Sequence, residues 1–340
     1  MKQMFNSLAA VIANPLATTA GMVGVAVAIV AGNAFAQTAT YPVKPVRVLV
    51  PFPPGGTPDI HIRFLNERLL ARLGQPIVVD NRAGASGNIA METAARAQPD
   101  GYTLIIGTVG NWAVNPHLFK LSYDVLRDFS PVVQIATTPA VLVVHPTVPV
   151  HSVKELIAFV TKAPGTLNYG SSGVGGFGHM CAELFSVMTR TRMTHVPYKG
   201  AALALTELTG GHIQLLFNSA AMTLSHIKAG RVRALATTGA TRFAAMADLP
   251  TVAEAGVPGY ENTTWSMVAG PAKMSSAVVE RLNSEFNAIL REPDIRERFA
   301  GAGSTVTGTS ARQASDILNV EWQKFGRLVR AANIPPATGG

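Results

Sequence analysis

The sequence predicts an α/β protein with mostly parallel sheets and helices on their faces. Three observations carry this. Short β-branched apolar runs alternate with segments whose apolar residues recur at helical spacing, as where Val46–Val50 is followed by Ile60, Phe64, Leu65, Leu69 and Leu73. The strand runs keep ending in Gly-, Ser- or Thr-rich loops that open helices, at Gly55, Thr108, Ser171, Lys199 and Asn218. The alternation then recurs beyond a β-branched run over 132–144, interrupted by Pro139, which carries the chain toward a second lobe.

The elements follow in order. The strand Val46–Val50 leads through Pro51-Phe52-Pro53-Pro54-Gly55-Gly56 into a helix. Thr57 suits its N-cap, Pro58 its first position and Asp59 its first turn. A strand over 77–79 meets the loop 81–88 and a helix over 89–97. Pro99-Asp100-Gly101 is a turn, and a strand over 102–106 ends at Gly107-Thr108. Ser152 caps a helix through Lys162, and a strand over 167–169 opens onto the glycine-rich 170–178 and a helix over 179–188. A strand over 194–196, Pro197-Tyr198-Lys199-Gly200 and a helix over 201–209 come next. A strand over 213–217 leads to a helix opened by Asn218-Ser219-Ala220, and another strand covers 232–237. The chain returns through 265–269, Ser276 caps an amphipathic helix through Leu290, and a last helix covers 317–329. The residues from 335 to 340 read as a frayed tail.

At 340 residues the chain can bury one large core or two medium ones. With 48% hydrophobic and 14% charged residues it is a folded chain. The net charge of +8 is spread along the sequence without a Lys/Arg cluster among aromatics, which argues against nucleic acid and for a mild field that attracts anions. Residues 1–36 read as a cleavable export signal: Lys2, an apolar stretch over 16–32, and Ala34-Phe35-Ala36 before the cut. A membrane anchor is the alternative, since the apolar run is near spanning length; the Ala-x-Ala site favours cleavage. No other segment is long and apolar enough to span. Cys181 is the only cysteine, so no internal disulfide forms, and its apolar helical neighbours place it in the core.

Ligands of open α/β sheets sit beyond the carboxyl ends of the strands. Gly55 and Gly56 clear the approach to a helix N-terminus whose N–H groups suit a small carboxylate, or else form an ordinary strand-to-helix turn. Asp59 orients that loop, meets a ligand, or only complements the helix dipole. Ser171 and Ser172 donate to a carboxylate or cap the following helix, and Asn218 with Ser219 has the same two readings. His179 is a donor or packs; Tyr198, Lys199 and Arg82 touch an anion or remain structural. Phe52, Trp112 and Phe177 line an apolar wall or belong to the core. Enzyme readings find no Gly-x-Ser-x-Gly elbow, no His-Glu-x-x-His, no Walker loop and no dinucleotide fingerprint.

Six segments in order carry a family resemblance: Pro51-Phe52-Pro53-Pro54-Gly55-Gly56 with Asp59, Asn81-Arg82-Ala83-Gly84-Ala85-Ser86-Gly87-Asn88, Pro99-Asp100-Gly101-Tyr102-Thr103-Leu104, Asn168-Tyr169-Gly170-Ser171-Ser172-Gly173, His195-Val196-Pro197-Tyr198-Lys199-Gly200, and Leu249-Pro250-Thr251-Val252-Ala253-Glu254-Ala255-Gly256. The chain resembles the solute-binding proteins of tripartite tricarboxylate transporters, the Bug family of periplasmic receptors. The resemblance implies a two-lobed periplasmic-binding-protein (Venus flytrap) fold. Its first lobe would comprise 37–138 and 265–340 and its second 139–264, with crossings near Thr138 and Trp265. It implies periplasmic capture of a small organic carboxylate, di- or tricarboxylate or aromatic, for delivery to a membrane permease, without catalysis, cofactor or metal. A receptor for a signalling partner and a secreted hydrolase with a cryptic Ser/His pair are the alternatives.

By the same resemblance the first-lobe loop supplies Phe52, Pro54, Gly55, Gly56 and Asp59, largely through backbone N–H groups and waters. The second lobe supplies Ser171, Ser172 and the glycine-rich turn with Gly175, with Asn218 and Ser219 nearby; Phe177, His179 and Tyr198 join the candidate set from the reading of the residues themselves. Thr108 and Asn111 line the hinge side. Three departures stand out. Pro58 removes a backbone donor, His61 replaces a small residue, and Gly176-Phe177 stands where a hydroxyl is common. These predict that specificity resides at Pro58, His61 and Phe177, with room for an aromatic or less polar carboxylate.

Overall fold

The computed structural model describes residues 41–198 and 200–337, so the export signal, Lys199 and the last three residues of the tail lie outside the described residues. The strands are β1 (Val46–Val50), β2 (Ile77–Asn81), β3 (Thr103–Thr108), β4 (Phe129–Val144), β5 (Asn168–Ser171), β6 (Thr194–Pro197), β7 (Leu215–Ser219), β8 (Arg233–Thr237), β9 (Thr263–Pro271) and β10 (Thr305–Val306). The helices are α1 (Thr57–Leu73), α2 (Asn88–Ala95), α3 (Asn115–Leu118), α4 (Val153–Lys162), α5 (Phe177–Thr189), α6 (Ala201–Thr209), α7 (Ala220–Lys228), α8 (Ser276–Leu290), α9 (Pro293–Gly301) and α10 (Ala311–Ala331). A π-turn over Gly110–Val114 leads into α3.

The α/β class expected from the sequence is the observed one. The strand order is β2-β1-β3-β9-β4-β7-β5-β6, with β8 and β10 also on β4. The pairs β1–β2, β1–β3, β5–β6 and β5–β7 are parallel. The central pairs β3–β9, β4–β9, β4–β7 and β4–β8 are antiparallel, a correction to the mostly parallel expectation. Topology accounts for it: β4 and β9 run between the two parallel groups in opposite directions, so they meet head to tail.

β4 pairs with β9 from Phe129 to Pro139 and with β7 from Ala140 to Val144. One strand thus belongs to two sheets and exchanges partners at Pro139/Ala140. Pro139, expected to interrupt the strand, sits at that exchange, opposite Thr263, where the pairing on β4 changes from β9 to β7. Smaller corrections concern caps and ends. Gly56, not Thr57, is the N-cap of α1, and Ser275, not Ser276, caps α8. The fifth strand extends to Ser171.

Alternation along the strands covers both faces of each sheet, as buried parallel strands require. In the first sheet Leu49, Ile105, Met267 and Ala269 pack with Trp112, Ala314, Leu318 and Phe325. In the second, Leu142, Val144, Leu215 and Phe217 pack against Val153, Leu156, Cys181 and Phe185, while Val141, Val143 and Leu216 meet Ala204, Leu205 and Leu208. Cys181 is fully buried, and that burial pushes its thiol pKa up, as a core residue requires. Among the described residues no helix is long and apolar enough to cross a membrane.

Candidate functional site at the facing strand ends

Register alone brings the strand ends together. In the first sheet Val50 pairs with Asn81, and Thr108 pairs with Ser266, which pairs in turn with Ala136 on β4. The carboxyl ends of β1, β2 and β3 therefore lie where β4 and β9 cross. In the second sheet Ser219 pairs with Ala140, Thr237 with Val141, and Ser171 with Pro197. The carboxyl ends of β5 to β8 lie along the edge of the second sheet on the side of the crossing, and helices α1, α2, α5, α6 and α7 begin at the strand ends of the two sheets.

Those five helices differ from the capped ones. Ser152, Ser275 and Ser310 cap α4, α8 and α10 with their side chains, Ser310 within a full capping box. The N-caps of α1, α2, α5, α6 and α7 are Gly56, Gly87, Gly176, Gly200 and Ser219, and none gives a side-chain cap. Uncapped first turns keep their N–H groups and positive dipole ends open to an acceptor. α9 also lacks a side-chain cap, but Pro293 occupies its first turn.

In the first loop, Asp59 is 1% exposed and already occupied. Its carboxylate accepts from Gly55 N at 2.9 Å, Asn81 Nδ2 at 2.9 Å and Arg63 Nε at 3.0 Å. Burial alone would push its carboxyl up; the bonds from Arg63, Gly55 and Asn81 outweigh this and hold it below the usual value. Asn81 Nδ2 also donates to Phe52 O, closing the loop. The Gly56 amide turns inward to Pro53 O at 3.2 Å. The loop's own glycine amides are thus spent on its shape, and the first-turn N–H groups of Thr57 and Asp59 remain, with Pro58 contributing none. Phe52 is half-buried and Pro54 exposed beside them. Thr108 donates through both N and Oγ1 to Asn111 Oδ1, and Asn111 Nδ2 donates to Ser86 O. Arg82, one of the cations near this loop, pairs with Asp80.

In the second half, Ser171 is 1% exposed. Its Oγ lies 2.6 Å from His195 Nε2, donates to Gly173 O and accepts from Gly173 N. A hydroxyl so enclosed offers no face to a substrate carbonyl, so Ser171 and His195 are not arranged as a nucleophile and its base. Gly175 N donates to His179 Nδ1 at 3.1 Å. His179 is buried, and burial with the neighbouring His195 lowers its pKa to about 3; burial lowers that of His195 to about 4. Ser172 is exposed at the turn. Tyr198 is half-buried in the core cluster over α6, its ring 3.4 Å from the point where a Cβ on Gly170 would stand.

Asn218 is 5% exposed, its Oδ1 accepts from Ser219 N, and its Nδ2 has no partner. The Ser219 N–H fixes which way the carboxamide points, so the unpaired donor is a built direction and not an arbitrary flip. Asn262 and Thr237, both fully buried, add unpartnered side-chain polar atoms near the same crossing.

Two expected specificity positions are used otherwise. His61 is 1% exposed, with Nδ1 2.9 Å from Ser266 Oγ and Nε2 3.0 Å from Ser304 Oγ, which continues to Thr138 Oγ1 at 2.7 Å. It ties α1 to β4 and β9 inside the core. Phe177 packs against the cores of both halves, so its ring is committed to the joint between them. Trp112 is fully buried. A separate groove of about 570 Å³, lined by Leu224, Ile227, Val232, Arg233 and Leu249, lies by Arg233 at the opposite end of β8 from Thr237. Asn81, His195, Tyr169 and Glu183 shape the site without having been expected there; Asn81 as the polar residue closing β2, and a histidine on the strand beside Ser171, were the available signals.

Known proteins are similar to this chain over most of its length. The model of the tripartite tricarboxylate transporter family receptor, TctC, matches residues 61–334. BugT of Bordetella pertussis is 34% identical over 293 residues, which span 86% of this chain and 90% of BugT. An R. palustris protein solved with adipate has a TM-score of 0.79 at 38% identity, covering 87% of this chain and 100% of that one. MatC from Rhodopseudomonas palustris with bound malate has a TM-score of 0.75 at 28% identity, covering 85% of this chain and 100% of MatC. A chain matched over this length by the receptor model and by BugT belongs to the tripartite tricarboxylate transporter receptor family.

Proposed function

We propose that this protein is an exported, periplasmic receptor that captures a small dicarboxylate between its two sheets and hands it to a tripartite tricarboxylate-type permease. The first lobe would comprise 37–138 and 265–340 and the second 139–264, so the ligand lies where β4 and β9 cross. The observation that carries the reading is the set of five uncapped helix N-termini at the strand ends of the two sheets, together with the unpaired Asn218 donor. One carboxylate would accept from the first turn of α1, beside Thr108 and Asn111. The second would accept from Asn218 Nδ2 and the first turns of α5 and α7. Recognition by neutral donors keeps the desolvation cost low and release feasible, in contrast to a buried cation. The adipate and malate seen with the two solved relatives support the dicarboxylate class.

Binding alone does the work: a ligand touching both sheets stabilises the closed arrangement and shifts the population toward it. The test is thermal shift and calorimetry with adipate, malate, citrate and benzoate. Adipate or malate should raise Tm and bind one to one with no product formed. Stabilisation by none of the four, or turnover of any, would overturn the reading.

A further inference from the structure

We infer that His179 and His195 are positioning residues for the glycine-rich turn: two stacked imidazoles, one from α5 and one from β6, that hold residues 173–176 in the shape which presents the α5 N-terminus to a ligand. This rests on the binding reading above and adds the pair that shapes its second half.

The two rings stack with centroids 4.0 Å apart and planes inclined by 16°. Tyr169 on β5 completes the stack, 4.9 Å from His195 and nearly parallel to it. Each imidazole reaches the turn from this fixed plane. His179 Nδ1 accepts a hydrogen bond from Gly175 N–H, so its own proton sits on Nε2, which faces Glu183 Oε1 at 3.7 Å. Tyr169 OH donates to the same Glu183 oxygen. His195 Nε2 holds Ser171 Oγ, which bonds both N and O of Gly173. With the single Ser171 proton given to Gly173 O, His195 donates through Nε2. With burial keeping both imidazoles neutral, each ring is then the Nε2–H tautomer.

The turn has few other supports and little freedom. Gly173 and Gly175 hold φ values of +126° and +76°, open to glycine alone at low cost. A Cβ on Gly175 would stand 2.6 Å from Leu118 Cδ1, and one on Gly178 would stand 2.4 Å from Phe217 O. Gly176 N bonds Gly173 O, closing the turn just ahead of the uncapped amides of α5. Losing either imidazole bond frees a glycine-rich segment with a large conformational entropy to regain.

The test pairs each deletion with a variant that restores only the bonding atom. His179→Leu and His195→Leu should weaken adipate binding by about tenfold, the size of one or two lost hydrogen bonds. His179→Asn replaces Nδ1 with a carboxamide oxygen, and His195→Gln replaces Nε2–H with an amide; both should recover most of the affinity. In the unliganded wild type, long-range ¹⁵N–¹H spectra should show both rings as neutral Nε2–H tautomers. The Gly175 amide should be protected from exchange in wild type and His179→Asn but not in His179→Leu. Leu variants that bind like wild type, carboxamides no better than Leu, an Nδ1–H tautomer at His179, or an unprotected Gly175 amide would each overturn the inference. Failure of wild type to bind adipate counts against the binding reading instead; the tautomer and exchange arms still decide the role of the pair.

Discussion

Asp59 shows how one carboxylate can serve a site without touching a ligand. Three groups of its own chain converge on it, and its burial leaves no open lone pair toward solvent. Asp59→Asn puts an amide N–H among those donors, so denaturant unfolding should show a loss of about 1–3 kcal/mol, the cost of unpaired buried groups. Calorimetry should show weaker adipate binding as well, because Gly55 and Asn81 shape the turn through this side chain. Unchanged stability would remove Asp59 from that role. His61 makes the complementary case. Burial lowers its pKa from 6.5 to about 4. The unfolded chain therefore binds a proton that the folded chain refuses between those values. Stability from this residue is complete above about pH 6.5 and is lost as pH falls toward 4, by about 3 kcal/mol in all. His179 and His195 act with the same sign. Tm should fall from pH 7 to pH 4.5, and His61→Gln should flatten that fall; an unchanged slope would show that His61 does not titrate there.

Helix caps divide the elements into those that close on themselves and those that stay open. Ser310 with Gln313 satisfies both ends of a capping box on α10. Ser310→Ala should cost about 1 kcal/mol and leave adipate affinity untouched. Gly56→Ser is the opposite experiment. Gly56 has φ −68°, which any residue adopts, and its Cβ would meet Phe52 Cβ at 3.2 Å, a contact that a small shift relieves. A serine there caps α1 with its own oxygen, so stability should hold or rise by up to about 1 kcal/mol while adipate affinity falls about tenfold. Affinity that survives would mean α1 does not hold the carboxylate. The α/β class, every strand but β10 and every helix but α3 and α9 were legible from periodicity, because apolar spacing is a local property. Other features were not local. β4 runs through Pro139 because its partner changes there, and only tertiary pairing reveals that. Gly56 displaced Thr57 as N-cap because Asp59 pulls Gly55 inward and sets the helix start one residue earlier. At the site, strand-end positions such as Thr108, Ser171 and Asn218 were legible, since loops at carboxyl ends can be read from the strand pattern. The His179–His195–Tyr169 stack was not, since three elements build it and no spacing in the chain encodes their contact.

At the scale of the whole molecule, two sheets share β4, and β9 returns beside it, so any relative motion bends these two strands at the crossing. Buried polar groups without partners cluster at that place: Asn218 Nδ2 and Thr237 Oγ1 in the second sheet, and both side-chain atoms of Asn262 just ahead of β9. Each raises the free energy of the unliganded arrangement by about 1–3 kcal/mol unless something bonds it. A ligand carboxylate meeting Asn218 would remove that penalty only in the bound state, which is the differential affinity that closure requires. Asn218→Leu separates the two effects, since leucine has nearly the same volume and no donor. The variant loses the Ser219 bond but also sheds the unpaired N–H, so unliganded Tm should hold or rise by a few degrees. Adipate affinity should fall by about tenfold or more. In small-angle scattering, wild type should contract on adding adipate, whereas Asn218→Leu at the same concentration should contract less. A variant that loses stability yet binds and contracts like wild type would make Asn218 a core residue and leave closure to be driven from the first sheet alone.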